Sequence, residues 1–170
     1  MLNIRKRTAI TIVTLVLLGN CPPMAAAAPV VEVPVVVTDP LDKYRGATEL
    51  SDTDLVDLLG AIGFEGKALK VAYAVAKKES NGRPLAHNGD RTTGDNSFGI
   101  FQINMIDSLG DARRDKFGLT SNKDLFDPVT NAQIAHHMSN GGKDWSSWKV
   151  YPGQTNGARY ESFLKQFPKN

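Results

Sequence analysis

The stretch "KKESNGRPLAHNGDRTTGDNSFGIFQIN", residues 77–104, carries a single glutamate, Glu79, at the end of an apolar helical run. A polar, glycine-punctuated segment follows, and then an apolar run containing a glutamine. A surface loop needs no such ending; two walls of a cleft joined by a rim do. Glu79 lies four residues after Val75 and seven after Ala72. At about 100° per residue it shares their face. A carboxyl group at the edge of an apolar face is partly desolvated, which favours its protonated form. The carbonyl end of a helix disfavours negative charge further. A carboxyl held protonated near neutral pH is what a general acid needs. The competing reading is that Glu79 closes the helix through an ion pair with Arg83 or Lys78.

Working outward, helix signals dominate. "ELSDTDLVDLLGAIGF" offers Ser51 as an N-cap with acids in the first turn, and Leu55, Leu58, Leu59 and Ile62 at helical spacing. Gly60 and Gly63 allow that helix to end. "EGKALKVAYAVAKKES" places Ala68, Val71, Ala72 and Val75 on one face. The segment 81–97 reads as loop, and "SFGIFQINM" as one short strand. "DPVTNAQIAHHMSNGG" predicts a helix capped by Asp127, with Pro128 in its first turn and Gly141-Gly142 at its stop. The pattern predicts a mainly α (α+β) domain with a small β element beside the helix that carries Glu79.

The ordered set "ESNG…AHN…GDNSFGIFQINM", with "RRDKFGL" (113–119), "DPVTNAQIA" (from 127) and "WSSWKVY" (145–151), resembles the lysozyme-like superfamily. The bacterial and phage soluble-lytic-transglycosylase-like domains look closest. In that superfamily a helix-end glutamate faces a β element bearing a glycine–apolar–glutamine motif. Here the motif is Gly99 to Asn104, and the resemblance covers roughly residues 50–160. It implies a lysozyme-like fold and cleavage of the β-1,4 MurNAc–GlcNAc bond of peptidoglycan, with glycan strands as partner and no cofactor. It implies Glu79 as general acid, oriented by Ser80, with Ser97, Gln102 and Asn104 lining the substrate cleft. Tyr151 is placed in the cleft because a family tyrosine stands near the glutamate. The alternative for Gln102 is a strand-end residue bonded to backbone.

The second carboxylate departs from the animal lysozymes, in which an acid stands two residues before the motif glycine; here that position is Ser97. Asp95, two residues earlier, either reaches the cleft or is a turn residue of "GDNS". A retaining hydrolase wants its two carboxyl groups about 5 Å apart, an inverting one about 6.5–9.5 Å. Without a second acid, a lytic transglycosylase can use one glutamate as acid and then base. Ser97 tilts the reading toward the transglycosylase. A muramidase using Glu79 with Asp95 is the alternative, and a non-catalytic glycan-binding module is the alternative of another class.

Other chemistries lack their patterns. His136 and His137 are adjacent on a helix and point about 100° apart, which does not suit one metal ion. "NGDRTTGDN" misses the alternating acids of a calcium loop. No metal site is expected.

The chain has 170 residues, 41% hydrophobic and 22% charged, which suits one compact domain. Arg5, Lys6 and Arg7 precede the apolar run Ala9 to Leu18, and Ala25-Ala26-Ala27 fits a cleavage site. Residues 1–27 therefore read as a secretory signal, against an uncleaved membrane anchor. A lipidated Cys21 fits less well, because Asn20 precedes it. Removing the leader turns the formal charge from +2 to −1, since the remainder holds 17 basic and 18 acidic residues. No basic cluster interleaved with aromatics remains to suggest nucleic acid. Cys21 is the only cysteine, so residues 28–170 contain neither a disulfide nor a thiol nucleophile. Pro29, Pro34 and Pro40 make 28–46 an extended tether or a short edge strand, ahead of a catalytic domain over 47–170. The expected protein is a secreted or periplasmic monomer with no membrane contact beyond its leader.

Overall fold

The structure is a computed structural model and describes residues 39–168. The expected signal segment and most of the Pro/Val-rich stretch lie outside the described residues. The domain is built around one helix, α2 (Gly66–Ser80), on which every residue from Ala72 to Ala76 is fully buried. The single apolar face expected from the sequence is too narrow: α2 is covered nearly all round, as a central helix must be. α1 (Asp52–Ile62) and α5 (Ala158–Lys165) pack against it, and α4 (Pro128–Met138) packs against α1.

The expected caps form. Ser51 and Asp54 exchange hydrogen bonds at the start of α1, the Asp54 amide donating to Ser51 Oγ at 3.1 Å and the Ser51 amide to Asp54 Oδ2 at 3.2 Å. Asp127 Oδ2 accepts from the Thr130 amide at 3.0 Å, with Pro128 in the first turn of α4. α4 stops at Ser139, and Asn140, Gly141 and Gly142 then reverse the chain with positive φ. A Cβ on Gly142 would lie 2.7 Å from the Ala68 Cβ, so this reversal passes α2 only without a side chain. The near end of the expected tether packs on the helices. Tyr44 is buried at the end of the 3-10 turn Asp42–Tyr44, and the Gly46 amide donates to Asp127 Oδ1 at 2.9 Å.

The segment 97–105 is not one strand. β2 (Ser97–Phe98) and β3 (Ile103–Asn104) form a tight antiparallel hairpin, pairing Ser97 with Asn104 and Phe98 with Ile103. β1 (His87–Asn88), within the expected loop, completes a three-stranded sheet in the order β1-β2-β3. The chain reverses because Gly99 and Gln102 both adopt left-handed backbone, φ 72° and 47°. Ile100 and Phe101, between them, plug the core instead of alternating across a sheet. Phe101 packs there with Trp145 and Trp148, ring centroids 6.1 and 6.0 Å away. α3 (Asp107–Phe117) follows the hairpin. Among the described residues no helix is long and apolar enough to cross a membrane.

Candidate active site

The site begins where α2 ends. The helix closes on left-handed Asn81, and the last turn turns Glu79 outward while Ser80 turns in. Ser80 is buried and its hydroxyl donates to the Ile100 carbonyl at 2.8 Å. The hairpin turn is gripped from two further sides. Trp148 Nε1 donates to the Phe101 carbonyl at 2.8 Å. Asn131, fully buried on α4, accepts from the Phe101 amide at 3.0 Å and donates to the carbonyls of Phe98 and Leu125, each at 2.9 Å. Gly99 makes the close approach possible. A Cβ there would lie 2.2 Å from Asn131 Nδ2 and 2.3 Å from the Leu125 carbonyl oxygen. The hairpin turn is thus tied to the helix carrying Glu79 through Ser80, and to α4 and Trp148 through the other buried hydrogen bonds, each left unmade at a cost of about 1–3 kcal/mol.

Between them lies a cleft of about 330 Å³ lined by Glu79, Asp95, Ser97, Gln102 and Asn104, with Lys78, Arg113, Trp148 and Lys149 around them. Five of the seven residues expected at the site therefore come together. Ser80 does not line the cleft, because its hydroxyl is taken up inside. Nor does Tyr151, whose ring stands exposed beyond the cleft lining. The aromatic on the cleft wall is Trp148, itself largely buried.

Glu79 keeps 23% of its side-chain surface, and Lys78 Nζ stands 3.2 Å from its Oε1. The ion pair considered for Glu79 is present, with Lys78 rather than Arg83. Lys78 also donates to the Trp148 carbonyl at 3.2 Å, tying the end of α2 to the opposite rim. This pairing does not remove Glu79 from the cleft; it sets a cation beside it. Arg83 instead donates to the Ser80 carbonyl at 3.0 Å, behind the helix end.

Asp95 is held by both oxygens. Asn88 Nδ2 donates to Oδ2 at 2.7 Å, and the Ser97 hydroxyl donates to Oδ1. Gln102 donates from Nε2 to the carbonyls of Ala86 and Gly99, at 3.1 and 3.0 Å, so the backbone role weighed for it is filled by its nitrogen. Asn104 is spent on structure in the same way, accepting from the Ile106 amide at 3.0 Å and donating to the Gly94 carbonyl at 3.0 Å. Arg113, from α3, bonds the Asn104 carbonyl; burial pulls its guanidinium below the usual arginine range without removing its charge. Three cations against two carboxylates give the cleft a positive lining.

Lys78, Arg113, Trp148 and Lys149 were not singled out as cleft residues by the sequence, although "RRDKFGL" and "WSSWKVY" marked their segments. Asn131 had a signal too: a polar amide between Val129, Ala132 and Ile134 on one helix. Among the described residues no group of histidine, cysteine, aspartate or glutamate could hold a metal ion.

A family model described as a lysozyme-like domain matches residues 57–150, more than half of the chain. The match runs from α1 past the cleft and takes in Glu79 and the whole hairpin. The chain belongs to this family of lysozyme-like domains, which points to cleavage or binding of peptidoglycan glycan. The comparison with curated proteins gave no significant match, and neither did the comparison with solved structures.

Proposed function

We propose that the protein is an exported enzyme that cuts the β-1,4 MurNAc–GlcNAc bond of peptidoglycan as a lytic transglycosylase. The observation that carries this reading is that Glu79, at the end of the central helix, shares its cleft with an Asp95 whose two oxygens are already engaged by hydrogen-bond donors. Glu79 gives its proton to the glycosidic oxygen as the bond to the MurNAc C1 breaks, and the GlcNAc leaves with a free 4-hydroxyl. The resulting carboxylate takes the proton of the MurNAc 6-hydroxyl as that oxygen bonds to C1. The product is a 1,6-anhydro sugar, no water is consumed, and Glu79 ends protonated as it began. One carboxyl group thus serves as acid and then as base. Gln102 Oε1 and the Trp148 edge would orient the sugar beside it. The domain is proposed to span 47–170 behind a cleaved leader and a tether, to act outside the cytoplasmic membrane, and to work as a monomer.

One observation favours a second reading. Asp95 lines the same cleft as Glu79, and a muramidase would use it to stabilise the oxocarbenium-like transition state or to activate water. Mass spectrometry of soluble products from peptidoglycan distinguishes the readings. The purified chain is expected to release fragments ending in 1,6-anhydro-muramic sugar, and Glu79→Gln to release none while keeping its circular dichroism and melting temperature. Reducing ends would establish the muramidase. Sedimentation with peptidoglycan and no released sugar from the wild type would leave only the binding module.

A further inference from the structure

A second concavity, about 550 Å³, lies on the reverse of the hairpin, lined by His87, Asn96, Phe98, Arg114, Lys123 and Phe126 together with Thr120 and Ser121. Alternation along β2 separates the two sites: Ser97 faces the catalytic cleft, while Asn96 and Phe98 face this groove. His87, the cross-strand partner of Phe98, shares its face, with ring centroids 4.4 Å apart. His87 is held there by Asn96 Oδ1, 3.1 Å from Nε2. Phe126 closes the floor edge-on, 5.4 Å from Phe98. The rim is cationic. Arg114 is fixed by Asp111 and Asn122, and Lys123 is exposed with no ion-pair partner among the described residues. No acidic residue lines the groove.

We infer that this groove binds the carboxylate-bearing peptide branch of peptidoglycan. The inference rests on the proposed reading of the cleft as a peptidoglycan site. A sugar ring would need a free aromatic face to stack on, and the buried Phe98 has one face covered by His87. An apolar floor that offers ring edges suits alanine methyl groups, and a cationic rim on which Lys123 is unpaired among the described residues, while Arg114 is shared with Asp111, suits a carboxylate.

The test is calorimetric titration of full-length Glu79→Gln, which cannot turn over, with the synthetic peptide N-acetyl-L-Ala-γ-D-Glu-L-Lys-D-Ala. A glycan oligomer stripped of peptide is titrated in parallel. The peptide is expected to bind, and Lys123→Glu is expected to weaken it at least tenfold, with the stripped glycan and the melting temperature unchanged. Lys149→Glu, in the cleft, is expected to leave peptide binding intact. The inference is overturned if the peptide does not bind, if Lys123→Glu has no effect on it, if Lys149→Glu weakens it instead, or if Lys123→Glu weakens the stripped glycan. Peptide binding that depends on Lys123 in a chain that releases no sugar would uphold the groove while the enzymatic reading fails.

Discussion

At the scale of single residues, the site depends on side chains that never touch a substrate. Asn131 satisfies one buried amide and two buried carbonyls of other segments. Asn131→Ala leaves all three without partners, and an expected loss of roughly 3–5 kcal/mol follows from about 1–3 kcal/mol per orphaned group, less some relaxation. Gly99→Ala is expected to cost about 3 kcal/mol, combining a left-handed backbone that alanine resists with displacement of the Asn131 side chain. Chemical denaturation measures both. If either variant matched the wild type, the clamp on the hairpin would carry no stability. Glu79 was legible in the sequence because helical spacing and chemical type coincide there. The roles of Ser80 and Asn131 were not, because a hydroxyl or an amide shows only in three dimensions whether it faces a cleft or a buried carbonyl.

At the scale of elements, the caps were read correctly and the hairpin was not. A Ser–x–x–Asp start is a local signal, complete within four residues, so sequence alone suffices. The hairpin turn depends on Phe101 and Ile100 entering a core built by distant helices, and its apolar run looks the same as a strand. Ser51→Ala is expected to cost about 1 kcal/mol in thermal or chemical unfolding. The Asp54 carboxyl is held below the usual range by the hydroxyl and amide of Ser51. At Asp124 burial works upward, but the amides of Ser121 and Thr120 and the Thr120 hydroxyl together outweigh it and hold the carboxyl down. A depressed carboxyl stabilises the fold above its unfolded value, about 3.9, and loses that contribution as pH falls through the folded value. The melting temperature should therefore drop below about pH 4, and a double variant, Asp54→Asn with Asp124→Asn, should flatten that drop. An unchanged acid limb in the double variant would show that other groups govern it.

At the scale of the whole molecule, the cleft joins the end of α2 to a hairpin and to the 3-10 turn Ser146–Trp148, segments far apart in sequence. Motif order announced the cleft, but the cations on its wall come from α2, α3 and the C-terminal segment and meet only on folding. Asp95→Asn probes what this assembly does. An asparagine can still accept from Asn88 through its one oxygen, and its NH2 can donate to the Ser97 hydroxyl oxygen in place of the bond that Asp95 accepts, so a transglycosylase is expected to lose less than about fivefold in product release. A hydrolase that relies on this carboxylate as base is expected to lose about 10²–10⁴-fold. Initial rates on purified peptidoglycan separate the two.

Gln102 offers a lever for engineering. It is a non-glycine residue held at φ 47° beside the cleft, a conformation that costs an L-residue about 1–2 kcal/mol. Its own side chain repays part of that through the carbonyls of Ala86 and Gly99. Gln102→Gly would relax the backbone and surrender the amide together, so heat tolerance and turnover need not move in step. Selection for thermal endurance alone would reward or spare this change, whereas selection on cell-wall digestion is expected to reject it. Position 102 is thus where a directed-evolution campaign would feel those two pressures diverge.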